Sequence, residues 1–230
     1  MSEKNRVEIT NMSYIDDRGG YALATVKYGD LYLRGITVRE TRDRDIVVLY
    51  PERKGKDEGY YPIYRFSDKD GHSHDKNKIE AALMESYANL RIGNAEHREI
   101  AADKHVPISG VSVPSTQAPK VLNSHDFEDG NAKAAVSVAY KNLIINNVYI
   151  REGKDGDFAS FPSYKKPNGE WGDFVTPAKD SGLSAAVASA YHEHKADMTA
   201  LADPAQFQEV DVIAPFPGAE ANEPEVAPSM

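Results

Sequence analysis

The chain reads as two tandem α+β domains, each a small antiparallel sheet followed by a helix, paired within one chain. Three features lead there. Apolar residues alternate with period two through two long blocks. Each block ends in a stripe at helical spacing, Ile79, Leu83, Tyr87 and then Leu183, Val187, Tyr191. The blocks also align with each other.

In chain order, Val7 to Ser13 alternates and predicts a strand. Asp16 to Gly20 is a turn signal. Tyr21 to Tyr28 is a second strand, and Gly29-Asp30 a tight turn. Leu31 to Val38 is a third, with a slip near Gly35 that suits a bulge. Ile46 to Tyr50 is a short apolar run ending at Pro51. The charged turn Arg53 to Gly59 leads to a fifth, aromatic strand, Tyr60 to Phe66. A helix follows, with Ser73 or Asp75 as its N-cap and Gly93 as its stop. The second block predicts strands at Val106–Val113, Ala132–Tyr140, Leu143–Ile150, Phe158–Phe161 and Trp171–Val175, then the second helix. Its first hairpin reads as a long loop from about Pro114 to Asn131, functional or mobile.

The repeat can be checked residue by residue. Ala24 to Tyr28 matches Val136 to Tyr140. Leu31, Leu33, Ile36 and Val38 match Leu143, Ile145, Val148 and Ile150 at one offset. Arg39-Glu40 falls on Arg151-Glu152. With one residue inserted in the first block, Pro51 pairs with Pro162, Lys54 with Lys165 and Tyr60 with Trp171. The expected boundaries are residues 6–92 and 105–196 for the domains, 93–104 for a linker, and 197–230 for an acidic Pro/Ala/Glu-rich tail. The tail is expected to be disordered from about Pro215.

Composition narrows the function. The 230 residues are 40% hydrophobic and 27% charged, as in an ordinary folded protein. No apolar run is long enough to span a bilayer, so no membrane partner is expected. No apolar region follows Met1 to Asn5, so no secretion signal is expected. The absence of cysteine removes disulfides and thiolate chemistry and fits a cytoplasmic location. The net charge is −9, with six acidic and no basic residues in 201–230; the other residues hold 27 basic against 30 acidic groups. The folded part is therefore nearly balanced and leaves room for local basic patches.

The stretch Phe158-Ala-Ser-Phe-Pro-Ser-Tyr-Lys-Lys-Pro-Asn-Gly-Glu-Trp171-Gly-Asp173 resembles the stage V sporulation protein G (SpoVG) family, bacterial regulators also known as septation proteins. Leu143 to Ile150 and the helix bearing Tyr191 fit as well. The first block keeps the pattern but departs in its turn, Pro51-Glu-Arg-Lys-Gly-Lys56, which lacks the serine and the second proline. The resemblance implies a small sheet followed by a helix, dimers formed through the sheets, site-specific binding of DNA or RNA, and no enzymatic activity. This chain would then be a covalent pseudo-dimer, its open sheet edges meeting at high effective concentration.

Candidate contacts follow. Lys165, Lys166, Arg53, Lys54 and Lys56 sit in equivalent turns that a pseudo-twofold could join into one phosphate-contacting face. Tyr164, Trp171 and Tyr60 could stack on unpaired bases. The bland alternative is a pair of solvated hairpins, the first diluted by Asp57 and Glu58. Arg39 and Arg151 read first as structural residues at strand ends and second as phosphate contacts. His72-Ser-His74-Asp75 and His192-Glu-His194 resemble metal ligands but lack a third ligand set, so no metal or cofactor is assigned. Asp43, Asp45, Asp155 and Asp157 suit turns. No nucleophile-base pair or phosphate-binding glycine loop appears, and no enzyme is expected. The rival reading is a protein-binding or inhibitory module that uses the acidic surface and the 114–131 loop.

Overall fold

The path of the chain is set by a pair of β-bulges that occur twice. A computed structural model describes residues 6–16, 20–55, 57–67, 73–92, 99–100, 104–111, 113–114, 117–128, 130–166 and 168–202. The first half runs β1 (Val7–Ile15), β2 (Tyr21–Tyr28), β3 (Leu31–Glu40), β4 (Ile46–Leu49), β5 (Glu52–Lys54), β6 (Tyr60–Pro62), β7 (Tyr64–Phe66) and α1 (Ser73–Ile92). Two short strands follow, β8 (Glu99–Ile100) and β9 (Val106–Pro107). The second half runs β10 (Lys120–Asp126), β11 (Ala132–Tyr140), β12 (Leu143–Gly153), β13 (Gly156–Ser160), β14 (Ser163–Lys165), β15 (Trp171–Asp173), β16 (Val175–Pro177) and α2 (Leu183–Ala202). Each half is thus an antiparallel sheet followed by a helix.

The two halves match in register except at Ala132, where β11 and β12 slip once more. β1 and β2 slip between Ile9 and Asn11, and β10 and β11 slip between Val121 and Asn123. β2 and β3 slip between Ala24 and Val26, opposite the expected bulge at Gly35, and β11 and β12 slip between Val136 and Val138. Gly35 has φ +75°, and its counterpart Asn147 has φ 57°. Only glycine takes that conformation without strain, and asparagine is among the few side chains that tolerate it.

The matching register corrects the expected start of the second half. Residues 114–131 are not one long loop. Lys120–Asp126 form β10, the counterpart of β1. The strand expected at Val106–Val113 is only Val106–Pro107, and it pairs with β1 of the first half. β8 pairs with β1 as well, so Glu99–Ile100 and Val106–Pro107 both line the edge of the first sheet. The fifth strands also differ from expectation. Each is broken in two, at Ile63 between β6 and β7 and at Phe174 between β15 and β16.

Those breaks turn the chain from one sheet to the other. Pro51 and Pro162 end the run of the fourth strands because a prolyl nitrogen donates no hydrogen bond. Their carbonyls accept from Ile63 N–H and Phe174 N–H, both at 2.9 Å. β7 then pairs with β12 (Tyr64 opposite Ile145), and β16 pairs with β3 (Val175 opposite Leu33). Arg34 N–H donates to the Phe174 carbonyl and Asn146 N–H to the Ile63 carbonyl, both at 2.8 Å. The outer edge of β3 is therefore shared. Thr37–Glu40 holds its own β4, and Leu31–Leu33 holds β16 from the other half.

Each sheet buries its alternate residues under its helix. Ile9, Val26, Leu33, Ile36 and Val38 face inward in the first half, and Val136, Val138, Ile145, Val148 and Ile150 in the second. Ile79, Leu83 and Tyr87 of α1 and Leu183, Val187 and Tyr191 of α2 are buried too. Tyr191 Oη donates to Asp126 Oδ1 at 2.8 Å, and Ser184 Oγ donates to the Ala159 carbonyl at 2.7 Å. The chain divides into a body of residues 1–194 and a second unit of residues 195–230. In the second unit residues 195–202 are helical, and Thr199 Oγ1 donates to the Lys195 carbonyl at 2.9 Å. The acidic tail expected to be disordered lies outside the described residues.

The two halves also meet through a charged contact at the β2–β3 and β11–β12 turns. Lys141 is 3% exposed, and its Nζ lies 2.8 Å from Asp30 Oδ1. Tyr140 Oη donates to Asp30 Oδ2 at 2.8 Å, and burial with this acceptor pushes the Tyr140 phenol upward. Breaking a buried pair strands its remaining charge. Asp30→Ala is expected to lower unfolding free energy by about 3–5 kcal/mol in urea titration. Replacing Asp30 and Lys141 together with apolar residues of similar size should cost less than Asp30→Ala alone.

Candidate nucleic-acid interface

Two short hairpins carry the basic turns, and each is closed by its own side chains. In the β5–β6 hairpin, Gly55 N–H donates to the Gly59 carbonyl at 2.8 Å. Asp57 Oδ1 accepts from Gly59 N–H at 3.3 Å, and Oδ2 accepts from the Tyr61 hydroxyl. That hydroxyl holds the Asp57 carboxyl below its usual range. In the β14–β15 hairpin, Lys166 N–H donates to the Glu170 carbonyl at 2.7 Å. Asn168 Nδ2 donates to Glu170 Oε2 at 2.9 Å, and Lys166 Nζ lies 3.4 Å from the same oxygen. These interactions, Asn168 first, lower the Glu170 carboxyl.

The two hairpins line one groove of about 600 Å³. Arg53 and Lys54 come from the first and Tyr164, Lys165 and Trp171 from the second. β12 adds Tyr149 and Arg151. Arg53 Nη1 donates to Tyr149 Oη at 3.5 Å, and the Arg151 guanidinium lies over the Tyr149 ring at 5.6 Å from its centroid. The groove therefore presents four cations against the single carboxylate of Glu52. Among the described residues, no ion pair neutralises Arg53, Arg151 or Lys165. Lys54 is partly engaged, 3.7 Å from Glu58.

Aromatic surface runs beside the charge. Trp171 is 68% exposed. Tyr164 is anchored, its ring 4.7 Å from that of Phe174. A Cβ on Gly172 would sit 2.7 Å from the Tyr164 ring, so glycine is what lets the ring lie there. Phe127 stacks on Tyr149 with centroids 6.3 Å apart and planes 21° apart.

Not every candidate from the sequence reaches this groove. Lys166 is committed to Glu170 within its own hairpin. Arg39 is exposed but does not line it. Tyr60 lines a different groove, with Tyr50, Tyr64 and Lys76. Lys56 lies outside the described residues. Tyr149 and Phe127 were not among the candidates. Tyr149 could have been found, since it lies between the inward residues Val148 and Ile150 and two residues before Arg151, on the same strand face.

The histidine clusters do not form a metal site among the described residues. His72 lies outside them. His192 Nε2 instead lies 3.1 Å from Asp157 Oδ2, and Lys133 Nζ donates to Asp157 Oδ1 at 2.7 Å. Lys133 first, with His192, holds the Asp157 carboxyl below its usual range. A depressed carboxyl stabilises the fold above its unfolded pKa, and that contribution is lost as pH falls through the folded value. Acid titration of the urea midpoint should therefore show a smaller fall below the ordinary carboxylate range in Asp157→Asn than in the parent chain.

The groove can be set beside known proteins. No family model matches the chain, and no solved structure matches it. Among curated proteins it is similar to the SpoVG protein of Heliobacterium modesticaldum, 36% identical over 69 residues, 28% of this chain and 78% of that protein. The SpoVG protein of Thermoanaerobacter pseudethanolicus is 33% identical over 72 residues, 30% of this chain and 78% of its own length. That of Clostridium perfringens is 38% identical over 50 residues, 21% of this chain and 56% of its own length. Among the described residues, no helix is long and apolar enough to cross a membrane.

Proposed function

The chain belongs to the SpoVG family, and from that premise we propose that it is a non-enzymatic, nucleic-acid-binding regulator acting as a covalent pseudo-dimer. The two halves are read as tandem copies of one family domain. DNA or RNA is the partner, and no cofactor takes part. The observation that carries this reading is the groove, where Arg53 of one half and Arg151 and Lys165 of the other converge with no ion pair among the described residues to neutralise them. Phosphate oxygens are the natural ligands of such a site, because each neutralised phosphate releases counterions. Arg53 and Arg151 suit phosphate through their planar, multi-donor guanidinium groups. A net acidic chain then binds through one local field, not through its total charge.

Arg53→Glu and Arg151→Glu should each weaken nucleic-acid binding and flatten its salt dependence. The log–log slope should fall by about 0.7–0.9 for each phosphate no longer neutralised. Lys166→Glu should matter less, since Glu170 already holds that ammonium. Fluorescence anisotropy across a salt series reads both quantities. Unchanged affinity in both arginine variants rejects the groove. No binding of DNA or RNA at low salt rejects the function and turns attention to a protein partner.

A further inference from the structure

The pseudo-twofold that relates the two halves is broken at the groove. β12 and β13 of the second half help to line it, and no residue of their counterparts β3 and β4 does. The broken symmetry extends to residue type. Phe127 stands where the first half has Ile15, and Tyr149 stands where it has Thr37. Trp171 replaces Tyr60, which lies in the other groove. The counterpart of Tyr164 is Arg53, so one hairpin offers a ring where the other offers a cation.

We propose that the halves have divided the recognition of nucleic acid: the second half carries a face for unpaired bases, built on Phe127, Tyr149 and Trp171, and the first supplies phosphate-directed charge through Arg53. This rests on the nucleic-acid reading above and names its ligand as a single strand. A duplex hides the faces of its bases, whereas a single strand exposes them to any accessible ring. Phe127 and Trp171 are exposed, and half-buried Tyr149 is already held against Phe127. Phe127 is 38% exposed while stacked on Tyr149, and Tyr149 is flanked by Arg53 and Arg151. Trp171, the most exposed of the three, leaves a large apolar face in water that a stacked base would cover. Arg53 at the Tyr149 hydroxyl and Arg151 over its ring can hold the backbone beside a base stacked on Phe127 or Trp171, with Tyr149 supporting Phe127 from beneath. The strand therefore lies against the second half's sheet and crosses to the first at Arg53 and Lys54.

The test compares labelled oligothymidine and oligouridine with a duplex of the same length, by anisotropy at low salt. Tyr149→Ala and Phe127→Ala should each weaken single-strand binding about tenfold and duplex binding less than about twofold. Tyr149→Phe should keep single-strand affinity. Ile15→Ala and Thr37→Ala, at the matching positions of the first half, should change neither. The chain's one tryptophan is Trp171, so its emission in the native protein should respond to the single strand and not to the duplex. Equal losses for both ligands, an equal effect of the first-half substitutions, or unresponsive Trp171 emission would overturn the division. If Arg53→Glu weakens binding while Tyr149→Ala does not, the division falls and the nucleic-acid reading stands. If the native chain binds none of the three ligands, both fall. The ratio of oligothymidine to oligouridine affinity separates DNA from RNA as the ligand.

Discussion

The exchange of β7 and β16 is the constraint on which the rest depends. Each half ends its sheet with a strand from the other, so neither outer edge is completed from within its own half. A bare sheet edge exposes a row of backbone donors and acceptors, and the exchange satisfies those at Leu31–Leu33 and Leu143–Ile145. The proline carbonyls of Pro51 and Pro162 start both crossings with the same hydrogen bond. Covalent linkage raises the local concentration of each strand at its acceptor edge. The Asp30–Lys141 pair then fixes the halves at the turns beside the exchanged strands.

The same crossing builds the candidate site. The chain must pass through a hairpin between its fourth strand and the exchanged one, and the hairpins of both halves end up lining one groove. Arg53 thereby comes within hydrogen-bond reach of Tyr149, 96 positions away in sequence. Fold and site thus share a cause. A change that frees β7 or β16 would also separate the cations that the groove brings together.

Much of this was legible in the sequence, and the misses have physical reasons. The alternation from Ala24 to Val38 and from Val136 to Ile150 marked the central strands, because one face of each is buried and the other is not. The resemblance of Arg53-Lys54 to the Lys165 turn showed that the hairpins are equivalent. β10 was missed because Lys120–Asp126 is nearly all exposed and polar, leaving only Val121 buried to signal a strand. Extending the match of Leu31 with Leu143 backward would have found it, since Ile9 and Asn11 fall on Val121 and Asn123. The exchange was invisible to local pattern, because a three-residue strand reads the same whichever sheet receives it. Lys166 looked equal to Lys165 because sequence does not show that Glu170 turns back onto it.

The central claim is that two exchanged strands make one body of two halves. Cutting the chain tests it directly. A protease site placed between Ile100 and Lys104 would allow cleavage after folding, and light scattering would weigh the product under native conditions. The account predicts that the fragments stay together at the 25.4 kDa of the intact chain and part only in denaturant. Separation into two folded fragments on cleavage alone would contradict it.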